Sequence, residues 1–231
     1  MAMETRAAAT REEPVPVGAL VAWAALVTSL IGLAYAANAA SPGPPEEDTL
    51  YRYSTAIAAT VQYALMLGIV LAIARGLSRE TLGFRRPASW PRAIGLTLGG
   101  LAAIWAAGAL LNVFLKAGEE QGLVPDEWDS SRAGAFVANF VVIAIVAPIV
   151  EETTYRGLGF AAVRSSFGPL AAILVTGIAF GLAHGLLVAL PVLSLFGVIL
   201  AALRWRTDSL YPPIILHALF NAAALIAAVT V

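Results

Sequence analysis

The chain has no cysteine. That excludes a disulfide framework, a thiolate metal site and a cysteine nucleophile together. Charge is also scarce: Asp, Glu, Lys and Arg make up 13% of 231 residues, where soluble domains carry about 25%. A net charge of -1 offers no basic surface for nucleic acid, so no nucleic-acid partner is expected. Histidine occurs only twice. The His-Glu-x-x-His signature of helical zinc proteases is missing, as is the Gly-x-Ser-x-Gly turn of serine hydrolases. There is no internal repeat and no polar stretch long enough to fold alone in water.

What fills the chain instead is apolar: 59% of residues are hydrophobic. Such a chain cannot cover a water-facing surface, which predicts an integral membrane protein in contact with the lipid bilayer. Apolar runs long enough to span fall at roughly 18–39, 54–74, 93–115, 133–150, 168–183, 186–203 and 210–231. The first exceeds the core of about 7–15 residues of a signal peptide and reads as a retained span. The expected fold is all-α, a polytopic transmembrane bundle of about seven spans. The fourth to sixth are short or closely joined, so six to eight are allowed. The expected organisation is a cytoplasmic tail (1–17), N-terminal transmembrane spans and loops (18–132) and a C-terminal transmembrane core (133–231).

Basic residues set the orientation. In a seven-span arrangement one side holds Arg6, Arg11, Arg75, Arg79, Arg85, Arg86, Arg92, Arg156, Arg164, Arg204 and Arg206. The other holds only Arg52, Lys116 and Arg132, beside the acidic loops "SPGPPEEDT" and "KAGEEQGLVPDEWDSS". This predicts an N-terminus inside and a C-terminus outside. Trp23, Trp90, Trp105, Trp128 and Trp205 read as interface anchors. The spacings Gly95–Gly99 and Gly177–Gly181 read as helix-packing signals.

Ionisable groups inside a span are costly and mark candidate sites. Glu151, Glu152 and Arg156 continue the fourth span in "APIVEETTYRG". His184 ends the fifth in "FGLAHG", and His217 and Asn221 lie within the seventh in "ILHALFNAA". Glu152 and Arg156 are four residues apart and share a helix face, as do Phe180 and His184, and His217 and Asn221. Glu151 points about 100° away from Glu152. Pro148 removes a backbone donor just ahead of the glutamates. These groups predict a wet recess formed by Glu151, His184, His217 and Asn221. A carboxylate beside an imidazole can deprotonate water, while an imidazole and an amide can donate to an oxyanion. Two histidines and a glutamate also match a catalytic zinc shell. The residues alone leave both open, together with two non-hydrolytic readings: a proton-coupled transporter, or a catalytically silent scaffold or immunity protein.

The three motifs Glu-Glu-x-x-x-Arg, Phe-x-x-x-His and His-x-x-x-Asn, in this order on successive C-terminal spans, resemble the CPBP family of intramembrane proteases. That family includes type II CAAX prenyl endopeptidases and bacteriocin-processing or immunity proteins, also called the Abi family. The resemblance covers roughly residues 140–224. It implies a hydrolase: an intramembrane protease, open to the cytoplasmic side, that cleaves a peptide bond near the C-terminus of a lipidated substrate or in a leader. It implies Glu151 as the base with His184, His217 and Asn221 at the oxyanion, and Glu152 and Arg156 as bracing groups, with Phe180 in support. If the member is a metalloprotease, Glu152, His184 and His217 are the metal candidates and zinc the expected ion. A metal-free, glutamate-activated water is the competing expectation. The implied partner is a peptide or protein, prenylated if the CAAX branch applies.

Overall fold

The structure, a computed structural model, describes residues 14–40, 48–115 and 128–230. Residues 1–13 of the expected tail and most of the two acidic loops lie outside the described residues. Helix α1 spans Val17–Ala40, α2 Tyr53–Ile73 and α3 Trp90–Leu115. Helical backbone then runs from Ser130 to Leu182. It comprises α4 (Ala133–Val141), a π-helical turn (Val142–Val146), α5 (Ala147–Glu152), a second π-turn (Thr153–Gly159) and α6 (Phe160–Leu182). Helices α7 (Leu190–Thr207) and α8 (Tyr211–Ala228) complete the bundle. No strand occurs among the described residues.

Six of these helical stretches are long and apolar enough to cross a membrane. The sequence divides the longest of them between two spans, and the backbone shows why. At Gly168 it leaves helical conformation (φ 84°, ψ 174°), immediately before Pro169. A side chain at 168 would be strained there, and proline restricts the residue ahead of it. The stretch is therefore two helices meeting at a kink, which makes about seven spans plausible.

The core is C-terminal. Leu158, Phe160, Phe180, Leu200 and Leu216 are buried within one cluster. Helices α6 and α7 form its tightest contact. A β-carbon on Gly177 would lie 2.6 Å from the Val198 backbone nitrogen, and one on Gly181 would lie 2.8 Å from that of Ser194. Only hydrogen fits, as close packing in lipid allows. Gly95 and Gly99 share this spacing but meet nothing within 4 Å among the described residues. Leu33, Leu65, Val113, Phe114 and Leu219 project outward, as in a bundle facing lipid tails.

At one end, the segment between α2 and α3 docks on the α7–α8 turn. Leu210 N donates to Gly83 O (2.8 Å), and Ser209 Oγ donates to Arg85 O (2.6 Å). Asp208 pairs with Arg85 (2.5 Å) and Arg204 (3.1 Å), with Arg164 at 4.0 Å. Three arginine-bearing segments thus meet at one end of the bundle. Asp48, Asp129 and Arg132 cluster at a separate polar site near the start of α4, with an Arg132–Asp48 ion pair of 2.7 Å. From Ala133 to Arg164 the helical stretch is about 45 Å long at 1.5 Å per residue, a full bilayer with its headgroups.

One tryptophan departs from the anchor reading. Trp23 is 3% exposed, covers Gly159 and donates from Nε1 to Thr154 O at 3.0 Å. Buried indole needs such an acceptor, and the second π-turn supplies it. Trp90, Trp105, Trp128 and Trp205 are exposed.

Candidate active site

The two glutamates sit between the π-turns, and Pro148 explains part of that geometry. Ala147 N bonds to Val142 O, five residues back. The next amide in that register would serve Ile143 O, but residue 148 is proline and has none. Asn221 of α8 takes its place: Nδ2 donates to Ile143 O at 2.9 Å. Wide turns of this kind often accompany functional sites. Here the turns flank adjacent carboxylates that go separate ways.

Glu152 turns inward and is fully buried with Arg156. Arg156 Nη1 donates to Glu152 Oε1 (2.9 Å), and Nη2 donates to Gly197 O (2.7 Å). The guanidinium lies 4.6 Å from the Phe180 ring centroid, a favourable cation–π distance. Glu152 Oε1 also lies 2.9 Å from His217 Nδ1. A carboxylate accepts, so Nδ1 carries the proton. The same bond fixes the ring, whose Nε2 lies 3.8 Å from Glu151 Oε2.

Glu151 turns the other way, into a cavity of about 440 Å³. Leu30, Leu33, Ala34 and Ala37 of α1, and Gln62, Tyr63 and Met66 of α2, form one wall. Glu151, Tyr155, Phe180, Ala183 and His184 complete it. His184 Nδ1 lies 2.8 Å from Phe180 O. A carbonyl can only accept, so this bond puts the proton on Nδ1 and leaves the lone pair of a neutral ring on Nε2. Phe180 is buried and packs edge-on against His184 and His217, with centroids 4.7 and 5.6 Å away.

Of the residues singled out in sequence, Glu151 and His184 share the cavity. His217 Nε2 stands 3.8 Å from Glu151 Oε2, its ring braced through Glu152 by Arg156, and Phe180 packs against both imidazoles. Asn221 does not line the cavity; it holds the first π-turn. Of the metal candidates, Glu152 and His217 meet at 2.9 Å, while the Phe180 ring packs against both His184 and His217. Glu152 Oε1 is occupied by a guanidinium and an imidazole. Among the described residues no three His, Asp or Glu side chains are grouped to hold a metal ion. As arranged, these donors do not fit a zinc shell.

Tyr63 is the participant the sequence did not reveal. Its hydroxyl donates to Glu151 Oε1 at 2.7 Å across 88 residues. The only local signal is a Gln-Tyr pair inside the apolar run of α2, and tyrosine is too common in membrane helices to stand out.

Residues 133–223 match the family model described as type II CAAX prenyl endopeptidase Rce1-like. No curated protein and no solved structure matches the chain. The match covers both glutamates, Arg156, both histidines and Asn221, and it supports intramembrane endopeptidase activity on a peptide or protein substrate. Over this segment the chain is similar to Rce1-like, type II CAAX prenyl endopeptidases, which is consistent with the CPBP resemblance of its three motifs.

Proposed function

We propose that the protein is an intramembrane endopeptidase in which Glu151 activates water without a metal. The observation that carries this reading is the recess shared by Glu151 and His184, with His217 Nε2 held 3.8 Å from Glu151 Oε2. Glu151 takes a proton from water while His184 Nε2 accepts the water's second hydrogen bond and orients it. The hydroxide adds to the carbonyl carbon of the scissile peptide. His217, held through Nδ1 by Glu152, turns Nε2 toward Glu151 and the anion that develops beside it. The C–N bond then breaks, and the proton held by Glu151 passes to the leaving amine. Asn221 contributes through Ile143 by keeping the widened turn in shape.

The substrate proposed is a peptide bond near the C-terminus of a prenylated chain. The family description names that class, and Leu30, Leu33 and Met66 offer an apolar wall beside the carboxylate. Residues 133–231 form the catalytic core in this reading. The arginine-rich end is cytoplasmic, supported by the charge bias of the sequence. Glu151 lies about 20 Å from Arg164 along the helix, within the bilayer but nearer that end.

The test is cleavage of lipidated and unlipidated C-terminal peptides, and of leader peptides, by purified protein in proteoliposomes. Cleavage lost in Glu151→Gln and retained with chelator supports the reading. Processing of leader peptides alone would reassign the substrate. Loss with chelator and rescue by zinc would overturn the metal-free step. Glu151-dependent ion flux without cleavage would make the protein a transporter.

A further inference from the structure

We infer that Tyr63 is a positioning residue for the reaction, holding Glu151 Oε1 so that Oε2 is the oxygen presented to water. This rests on the reading of Glu151 as the base. Tyr63 belongs to α2, outside the segment that matches the protease family. Its hydroxyl lies 2.7 Å from Glu151 Oε1, the length of a strong bond to a carboxylate. A carboxylate can only accept, so the phenol donates and favours the form a base needs. Oε2 is 3.8 Å from His217 Nε2, outside hydrogen-bond reach. One oxygen is therefore tethered and the other is not.

The need for a tether follows from the site. Glutamate has three rotatable side-chain bonds, and this one faces a cavity of about 440 Å³. Without a second contact the carboxylate would sample orientations in which neither oxygen meets water and peptide together. Misplacement of about 1 Å can cost about 100-fold in rate. α2 suits the task because it packs against α5 and both π-turns, so Tyr63 and Glu151 ride on mutually supported elements. Tyr63 also lines the recess, so the tether is built into the wall that meets the substrate.

The experiment uses the full-length protein in proteoliposomes and a peptide that the wild type cleaves. Tyr63→Phe removes one oxygen and keeps the ring. Expected is a fall in kcat of roughly 10- to 100-fold with KM within about twofold. The Glu151 carboxylate infrared band, isolated as the difference between wild type and Glu151→Gln, should shift in the Tyr63→Phe background. A structural role alone would move neither the kcat–KM split nor the band. Full kcat in Tyr63→Phe, an unshifted band, or a loss of rate that tracks loss of folded protein overturns the inference while leaving Glu151 as base. Absence of Glu151-dependent cleavage in the wild type overturns the reading beneath it, and the inference with it.

Discussion

A fully buried guanidinium inside a lipid-facing bundle is tolerable only because its partners are in place before it. Arg156 has a carboxylate, a carbonyl and an aromatic face within contact distance. Removing one member of a buried pair leaves the other uncompensated, at a cost of about 3–5 kcal/mol. Arg156→Met should therefore destabilise the folded protein by about that amount in detergent unfolding measurements. The double variant Arg156→Met, Glu152→Gln should recover part of the loss, because no unpaired charge then remains. At this scale the site was legible for a reason: Glu, Arg and His inside apolar spans are expensive, and the expense itself marks them. Tyr63 and Trp23 escaped because their apolar rings suit a membrane helix anywhere. Only the distant partner, a carboxylate in one case and a carbonyl in the other, shows what their polar atoms do.

The elements were legible in number and type, but not in their wide turns. Helical hydropathy persists through a π-turn, so nothing in the run from residue 142 to 159 announces one. Pro148 predicted a local change, yet the identity of the group that compensates for its missing amide depends on α8. That link can be measured. Asn221→Ala should cost about 1–2 kcal/mol. Pro148→Ala, which restores an amide near Ile143, should shrink that cost in a double-mutant cycle. The turn before α4 carries a different kind of cap. Hydrogen bonds from the Ser131 hydroxyl and Arg132, and the Arg132 charge, hold the Asp129 carboxyl down to about 2. A depressed carboxylate contributes stability above its ordinary range and loses it as pH falls through the depressed value. Amide exchange at Ser131, whose N–H bonds to Asp129 Oδ1 at 2.8 Å, should therefore remain protected at pH 4 and accelerate only near pH 2.

Across the whole molecule, composition alone indicated a membrane bundle, whereas the division of its longest helical stretch at Gly168 and Pro169 came from the backbone. The partnership of α6 with α7 was half visible: Gly177 and Gly181 carried the spacing, but Gly95 and Gly99 carry it too and meet no neighbour within 4 Å among the described residues. Spacing reports that close approach is possible, and only a facing backbone makes it necessary. Gly177→Leu should separate the pair and reduce the yield of folded protein in size-exclusion chromatography, whereas Gly99→Leu should leave it unchanged.

Asp208 has a further consequence for how the chain is made. Arg85 donates to its carbonyl across 123 residues of sequence. During synthesis the early helices must wait in the membrane, their arginine-bearing connection unclasped, until Asp208 has emerged. His217 arrives later still. A chain that stops short of Asp208 therefore holds the early helices without their clasp, and without the imidazole that meets Glu152.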